Sequence, residues 1–495
     1  MFKLRLNNYR GFLNEEFDFS RVNVLIGENS AGKSSVFKFL RALKQSLRFP
    51  NNRDYNLTLF ADEKEGNENV DLGNYYETIY NHETDRNLLF AFEFKEDYFN
   101  FFLTDAVSIA KKNNKINEAV RKELLEEREK ITQILGGKIT TPTIFTCELS
   151  EDLANHNKIK TTISNSTVGE VVIFFPNIEQ EVYVKGESPL CNLTFCNTQN
   201  ETYTFSEIEY EKMGFTTIVD SDSLKEKIKQ KFENGEADRL FWSIAFLLIT
   251  QNYIRKILSD IKYINPLLSE PAERVYLKRD EKISFDIKDI KEVVYLLSGD
   301  NFLKNENLEK FKSDYTQLLS ELGLLEEIKP IKENFTRELR VVVNGMENNI
   351  KDVGFGVSLQ MPIFAQALIS ENLTKQSRLN GLTNKGETLL IEQPEVHLHP
   401  RLQAKFIETL LSIGNNNVYF IETHSEHIIR MLQILVKTKK FDITPDDVSI
   451  HYFRKDEKNM IKSKHEINAK TGELSPAFPD GFFDISFNLA FQLID

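Results

Sequence analysis

Cysteine and tryptophan are scarce in this 495-residue chain, which contains three Cys residues and one Trp. The Cys191/Cys196 spacing fits no common zinc pattern, and so few thiols cannot form a disulfide framework, so we expect reduced thiols. An apolar run long enough to span a bilayer is missing, and so is an apolar N-terminal signal segment. These absences predict a cytoplasmic protein without a membrane partner.

Positive charge is not in excess either. The formal net charge is −13, whereas proteins that coat duplex DNA are usually basic. DNA contact is therefore expected only through a local basic patch, and the alternative for each candidate patch is a solvated helix face or loop. The candidates are Arg41, Lys44 and Arg48, and Lys437, Lys439 and Lys440.

A glycine-containing loop follows an apolar segment near the N-terminus. Residues 27–34 read GENSAGKS and match G-x-x-x-x-G-K-[ST], between a predicted buried strand at Arg21–Ile26 and a predicted helix at Ser34–Leu47. In such a loop backbone N–H groups cradle phosphate, Lys33 reaches the β- and γ-phosphates, and Ser34 ligates Mg²⁺. The predicted nucleotide-binding residues are Gly27, Glu28, Asn29, Ser30, Ala31, Gly32, Lys33, Ser34 and Ser35.

Two later apolar segments end in residues suited to phosphate chemistry. Thr388–Glu392 predicts a strand that presents Glu392 at its carboxyl end, with Glu395 just beyond the turn. Glu392 would hold Mg²⁺ and Glu395 would polarise the attacking water. Val418–Thr423 predicts another strand, after which His424 would hydrogen-bond a γ-phosphate or the attacking water. Each pattern alone has an ordinary alternative, a solvated carboxylate or a packing histidine.

A second glycine turn precedes a predicted apolar helix. Asp352–Ser358 reads DVGFGVS, so Gly354, Gly356 and Ser358 form a candidate anion-binding turn. Glycines before helices are also common loop chemistry, so this pattern alone has little specificity.

In this order the motifs resemble those of the ABC-type ATPase heads of SMC, RecF and OLD-like proteins, in which a long insertion separates two halves that fold together. The resemblance implies that Glu395 is the catalytic glutamate, His424 the switch histidine and Lys33 a third catalytic residue. Two departures are Glu392, where many relatives carry Asp, and Gln360, which follows Ser358 by two positions instead of one. The implied segments are Walker A at Gly27–Ser34, the signature at Gly354–Ser358, Walker B at Leu389–Glu392 and the D-loop at His397–Pro400.

The fold that this resemblance implies is an α/β P-loop ABC-type ATPase head assembled from both chain ends. Residues 1–49 and 338–495 would form the two halves, and residues 50–337 a mixed, helix-rich insertion. The implied cofactors are ATP and Mg²⁺. Heads of this kind associate in pairs, with the signature of one copy completing the site of the other, so a homodimer or a higher even-numbered assembly is expected.

The tail Phe478–Asp484 resembles the ending of a subgroup of prokaryotic AAA/OLD-like ATPases, several of which act in phage-defence systems such as Septu and PARIS beside a separate nuclease. This implies an ATPase subunit that controls an effector nuclease, with DNA or a phage component as a further partner. No nuclease motif is recognised in the chain itself. Two alternatives remain open: a DNA-repair or clamp ATPase of the RecF/SMC type, and a scaffold that holds ATP without hydrolysing it.

Overall fold

The computed structural model divides the chain into two compact units. The first comprises Met1–Phe19, Ser35–Ser259 and Lys455–Ile461, and the second Ser20–Ser34, Asp260–Arg454 and Lys462–Asp495. The predicted tail motif is described only as far as Pro479, and Arg48 lies outside the described residues. Those residues are 2–47, 70, 72–73, 75–94, 126, 129–135, 141–150, 158–174, 190–212, 218–219, 221–264, 274–276, 287–299, 305–379, 386–456 and 459–479.

Both units contain strands and helices. In chain order the strands are β1 (Phe2–Tyr9), β2 (Phe12–Asp18), β3 (Val22–Gly27), β4 (Leu88–Phe94), β5 (Thr143–Ser150), β6 (Lys158–Asn165), β7 (Gly169–Phe174), β8 (Leu190–Cys196), β9 (Thr202–Lys212), β10 (Ile218–Val219), β11 (Ile261–Ile264), β12 (Val275–Tyr276), β13 (Glu327–Glu333), β14 (Thr336–Val343), β15 (Met346–Asn349), β16 (Thr388–Glu392), β17 (Val418–Glu422), β18 (Val448–Asp456), β19 (Asn459–Ile467) and β20 (Leu474–Ser475). The helices are α1 (Lys33–Ser46), α2 (Tyr75–Thr78), α3 (Ser221–Lys229), α4 (Asn234–Ser259), α5 (Ile290–Leu297), α6 (Asn305–Leu322), α7 (Phe355–Leu379), α8 (Pro400–Ser412) and α9 (Glu426–Thr438).

The first unit is built on a nine-stranded antiparallel sheet with the order β10-β9-β8-β7-β6-β5-β4-β1-β2. Phe2, Leu4 and Leu6 alternate with more exposed residues along β1 and are buried, as expected when one face of a strand packs on the core. Phe2 contacts Phe92 of β4 at a ring-centroid distance of 5.5 Å. The abundant phenylalanines of the chain therefore contribute to this core.

The second unit is built on a seven-stranded sheet with the order β11-β16-β17-β3-β18-β19-β20. Strand β3 runs parallel to β17 and β18, and Val24 has Ile421 as its partner on one side and Ile450 on the other. All six residues of β3 are buried, which is typical of a parallel strand covered on both faces. Its single polar side chain, Asn23, bonds to the Ser20 and Tyr419 carbonyls at 2.8 and 3.1 Å. The N-terminal strand thus completes a sheet made largely by the C-terminal part of the chain.

The second unit begins earlier in the chain than the predicted boundary at residue 338. Strand β11 pairs in parallel with β16, with Ile261 opposite Thr388. The contact-based division accordingly places Asp260–Arg454 in one segment of this unit. Residues 260–337, which the sequence assigned to the insertion, therefore belong to the unit that contains β3. Among the described residues no helix is long and apolar enough to cross a membrane.

Gly27 closes β3 in a conformation that a side chain would not tolerate. Its φ is +142°, and a Cβ atom would lie 2.0 Å from the Phe453 carbonyl oxygen. This close approach lets the next residue, Glu28, donate its N–H to the same oxygen at 3.0 Å. The loop after β3 therefore starts at a fixed point beside β18.

We expect Gly27→Ala to lower the free energy of unfolding by about 3 kcal/mol, because backbone strain and overpacking each cost about 1–3 kcal/mol. Denaturant unfolding followed by circular dichroism measures the change. Gly345→Asn is the matched control, since Gly345 also has a positive φ (+72°) but nothing lies within 4 Å of its Cβ position. Equal stability of the two variants would contradict the role given to Gly27.

Candidate functional site

The loop between β3 and α1 has the shape of a phosphate cradle. Gly27, Ser30 and Gly32 have φ values of +142°, +59° and +98°, so the backbone turns repeatedly in the left-handed region over six residues. Glu28, Asn29 and Ser30 are exposed, whereas Ala31, Gly32 and Lys33 are buried. Helix α1 begins at Lys33, and a helix N-terminus at the end of such a loop attracts anions. The predicted strand–loop–helix arrangement is confirmed.

Lys33 is held against the loop that precedes it. Its Nζ donates to the carbonyl oxygens of Gly27 and Glu28 at 3.0 and 2.6 Å, and the residue is only 4% exposed. Burial lowers the pKa of Lys33, while Glu422 and Glu28 act in the opposite direction. The ammonium group therefore lies where the loop would place phosphate oxygens.

Ser34 contacts a carboxylate that the sequence analysis did not select. Its hydroxyl donates to Glu422 Oε1 at 2.7 Å. Glu422 is the last residue of β17 and is 4% exposed, and its second oxygen is buried without a hydrogen-bond partner. Burial raises the pKa of Glu422 to about 7, with the Ser34 hydrogen bond lowering it and Glu392 raising it further. Glu422 is therefore a buried, partly unsatisfied acceptor beside the predicted Mg²⁺ ligand Ser34.

Glu392 lies one strand further from the loop. It ends β16 and is paired in register with Glu422 of β17, and β17 separates β16 from β3. The carboxylate that accepts the Ser34 hydroxyl is therefore Glu422, although the sequence assigned the Mg²⁺ role to Glu392. The two residues are register partners at the ends of neighbouring parallel strands, and Glu392 as a metal ligand remains a prediction.

Glu395 and His424 are brought together, as their predicted roles require. Glu395 Oε1 accepts a hydrogen bond from the His424 backbone N–H at 2.6 Å, and Glu395 Oε2 is buried without a partner. Burial raises the pKa of Glu395, which favours a general base near neutral pH. Partial burial of the imidazole, together with Lys33, lowers the pKa of His424. The histidine is therefore neutral at physiological pH and suited to hydrogen bonding.

The predicted signature turn presents its backbone to the surface, but not its serine. Gly354 and Phe355 are exposed, and α7 begins at Phe355. Ser358 is 2% exposed and donates its hydroxyl to the Phe355 carbonyl at 3.1 Å. A Cβ atom on Gly356 would lie 2.9 Å from the His397 carbonyl, so the start of α7 packs closely on the predicted D-loop. The Ser358 hydroxyl is therefore not exposed for the predicted contact with a second copy of the chain.

The other D-loop residues and Ser35 have local structural roles. His399 is the N-cap residue of α8, and its side chain accepts a hydrogen bond from the Arg401 N–H. Pro400 lies between them in the first turn of the helix. The Ser35 carbonyl accepts the Tyr9 hydroxyl at 3.2 Å within the first unit. Within the described part of the chain, no group of three or more His, Cys, Asp or Glu residues is arranged to hold a metal alone.

The residues at the end of β3 fit a Mg²⁺–nucleotide complex. Mg²⁺ prefers oxygen ligands and is usually held by one or two protein groups together with waters and substrate phosphates. The Ser34 hydroxyl and the unpartnered oxygen of Glu422 provide such groups. The backbone N–H groups of the loop and the Lys33 ammonium group are suited to bind the phosphate oxygens. The observation that carries this fit is the buried Oε2 of Glu422, which has no hydrogen-bond partner among the residues that the structure describes.

Glu422 makes the metal-free protein pH-sensitive. Because its pKa is raised from 4.5 to about 7, the folded state binds a proton more tightly than the unfolded state, so stability falls as pH rises from about 4.5 to about 7. We expect Glu422→Gln to be about 2 kcal/mol more stable than wild type at pH 8, with a smaller difference at pH 5. Thermal or denaturant unfolding in EDTA measures both values. The same variant should bind ATP at least tenfold more weakly with Mg²⁺ but not in EDTA.

The control for this experiment is Glu466→Gln, because the Glu466 side chain is 69% exposed and should change neither measurement. If Glu422→Gln is less stable than wild type at pH 8, burial of the Glu422 carboxylate does not destabilise the folded state as expected. Unchanged Mg²⁺-dependent binding would contradict its role as an acceptor for the metal.

Comparison with known proteins identifies two family matches. A model described as AAA ATPase domain matches residues 1–429, and one described as a protein of unknown function (DUF3696) matches residues 443–493. No curated protein matches the chain.

Solved structures with detectable similarity include three SMC heads. The SMC head bound to the C-terminal winged-helix domain of ScpA shows 9% identity and a TM-score of 0.36, and the alignment covers 94% of this chain and 98% of that one. The SMC head domain from Thermotoga maritima shows 10% identity and a TM-score of 0.32, and the alignment covers 93% of this chain and 97% of that one. The SMC head domain with an extended coiled coil bound to the C-terminal domain of ScpA, from Pyrococcus furiosus, shows 8% identity and a TM-score of 0.36. The alignment covers 100% of both chains.

The family assignment rests on the sequence match, which includes the loop at Gly27–Ser34, both site carboxylates Glu395 and Glu422, and His424. This match extends over most of the chain and includes the residues whose geometry fits a nucleotide and Mg²⁺. The chain belongs to the AAA ATPase domain family.

Proposed function

We propose that this protein binds Mg²⁺–ATP at the end of β3 and hydrolyses it. The observation that carries the proposal is the convergence of Lys33, the Ser34–Glu422 pair and Glu395 in one unit. Lys33 would exchange the Gly27 and Glu28 carbonyls for the β- and γ-phosphate oxygens. Ser34 and Glu422 would hold the metal, with Glu392 on the neighbouring strand. Bound Mg²⁺ would neutralise charge on the phosphates.

Glu395 and His424 would act on the water that attacks the γ-phosphate. The unpartnered Oε2 of Glu395 is free to accept a proton from that water, while Oε1 stays fixed by the His424 N–H. The neutral imidazole of His424 would donate to the γ-phosphate or the water. Positioning and electrostatic stabilisation supply most of the catalysis in reactions of this class.

ATP binding would bring two copies together through their second units, which carry the proposed ATP site, as a homodimer or a higher even-numbered assembly. The exposed surface available for this contact includes Gly354 and Phe355 at the start of α7, where Phe355 is 48% exposed. Because ATP would gain contacts only in the closed pair, it would shift the equilibrium toward that pair. Hydrolysis would then release it.

We further propose that the assembly controls a separate effector nuclease in a phage-defence system. Support for this comes from the resemblance of Phe478–Asp484 to the ending of such ATPases and from the presence of the first unit in addition to the second unit, which carries the proposed ATP site. The first unit offers a large sheet for partner contact. For a DNA clamp, one candidate basic patch is weakened, because Lys440 is paired with Glu408 at 2.6 Å.

We expect purified wild type to hydrolyse ATP in Mg²⁺, and Glu395→Gln to lose at least 100-fold in turnover while it retains bound ATP and gains mass in solution. Lys33→Ala should lose ATP binding. Turnover is measured by phosphate release, retention by filter binding and mass by light scattering, each with and without duplex DNA. Wild type that holds ATP but releases no phosphate would establish a scaffold instead, and strong stimulation by DNA would favour the clamp function.

The defence role makes a separate prediction. When co-expressed with the product of the adjacent gene, the chain should co-purify with it, and nuclease activity in the complex should depend on ATP and be altered by Glu395→Gln. The control is the same complex with Lys33→Ala. A complex without nuclease activity, or one whose nuclease ignores both substitutions, would remove the effector-control proposal and leave the ATPase assignment intact.

A further inference from the structure

A side chain from α7 holds the turn that carries Glu395. Gln360 lies in the second turn of this helix and is fully buried. Its Nε2 donates to the Pro394 carbonyl oxygen at 2.7 Å. Proline has no N–H group, so its carbonyl is the only backbone group through which Pro394 can be anchored. The residue bonded to that carbonyl therefore fixes the backbone immediately before Glu395.

The other atom of the same amide is unsatisfied. Gln360 Oε1 is buried and has no hydrogen-bond partner among the described residues. A buried polar atom without a partner destabilises the folded state, and an apolar side chain of similar size would avoid that cost. Stability alone therefore does not account for a glutamine at this position, and its contact with the Pro394 carbonyl is the feature that an apolar residue could not reproduce.

The turn needs external anchors because it is strained. Gln393, just after β16, has a φ of +44°, a conformation that is unfavourable for a residue other than glycine. Its N–H donates to the Glu422 carbonyl of β17 at 2.8 Å. The turn that precedes Glu395 is thus tied to β17 by one hydrogen bond and to α7 by the Gln360 amide.

The same end of α7 also reaches the far side of Glu395. Gly356 approaches the His397 carbonyl, and the exposed ring of Phe355 lies 5.7 Å from the His397 ring between centroids. The first two turns of α7 therefore contact residues on both sides of Glu395 along the chain. A shift of this helix end would be transmitted to the Glu395 carboxylate through these contacts.

We propose that Gln360 is a positioning residue, which makes the placement of the Glu395 carboxylate depend on α7 through its hydrogen bond to the Pro394 carbonyl. This inference rests on the proposed hydrolysis of ATP through Glu395. Gln360 does not reach the nucleotide, since its side chain is buried and directed at Pro394.

The test is Gln360→Met, which keeps the length and approximate volume of the side chain but removes the donor and the unsatisfied oxygen. We expect kcat for ATP hydrolysis to fall about 10- to 100-fold, the range associated with a displaced catalytic group, and the Kd for ATP to change less than twofold. Gln366→Met is the matched control. Gln366 is equally buried on the same helix, but it bonds to Glu387, which precedes β16. This control should keep the wild-type kcat.

A double-mutant cycle with Glu395→Asp separates positioning from general loss of packing. If Gln360 acts through Glu395, the loss caused by Gln360→Met should be several-fold smaller in the Glu395→Asp background than in wild type, because coupled residues are not additive. The proposal would be overturned if Gln360→Met lowered kcat by the same factor in the wild-type and Glu395→Asp backgrounds. An unchanged kcat in the Gln360→Met protein would overturn it too. If Gln360→Met fails to fold, the cycle is run with Gln360→Asn, whose shorter amide cannot reach Pro394.

The two hypotheses fail in different ways. If wild type does not hydrolyse ATP, the proposed function is wrong. If wild type turns over, Glu395→Gln does not, and Gln360→Met resembles wild type, then the ATPase assignment stands and only the positioning role of Gln360 is wrong. A loss of kcat in Gln366→Met equal to that in Gln360→Met would also remove the positioning role, because it would show a general effect of loosening α7.

Discussion

The parallel pairing of β3 with β17 and β18 is the constraint on which the rest of the site depends. Through it, a strand from the start of the chain lies between two strands from its end. Because parallel strands present their carboxyl ends at one edge of a sheet, Gly27 and Glu422 emerge side by side. The loop, the Ser34–Glu422 contact and the approach of Glu395 all follow from this placement.

The same placement concentrates charge at a cost to the folded state. Glu395 and Glu422 both act electrostatically on the buried ammonium group of Lys33, and burial raises the pKa values of both carboxylates. Perturbed groups of this kind cluster at functional sites, where stability is lower than the fold alone would allow. The metal and the phosphates that the geometry fits would supply the missing positive charge and hydrogen-bond donors. The free protein therefore has an incomplete electrostatic site that its ligands complete.

Local sequence predicted much of the site, because its motifs are local. The strand Thr388–Glu392, the glycine loop and the helix after it are confirmed, and Glu395 accepts a hydrogen bond from the backbone N–H of His424, while the roles of both residues stay predictions. Glu422 was missed because its importance depends on β17 being the neighbour of β3. Strand order is set by tertiary packing between distant segments, so one sequence does not reveal it. The available signal was an acidic residue at the end of an apolar strand.

The inward direction of Ser358 and Gln360 was also beyond the sequence. A glycine-rich turn before a helix predicts exposed backbone, and Gly354 and Phe355 are exposed. Which side chains then point inward depends on where the helix packs. The predicted domain boundary at residue 338 stays a prediction, but β11, which is only four residues long, joins the second unit by pairing with β16.

The long separation of β3 from its partners also affects how the protein is made. Strand β3 leaves the ribosome nearly 400 residues before β17 (418 − 27 = 391). At synthesis rates of 5–20 residues per second, it waits roughly 20–80 s. During this time an apolar, β-branched segment has no sheet to join and is prone to mispairing. The second unit is therefore completed only after β17 has been synthesised, whereas most of the first unit, Ser35–Ser259, is synthesised before that point.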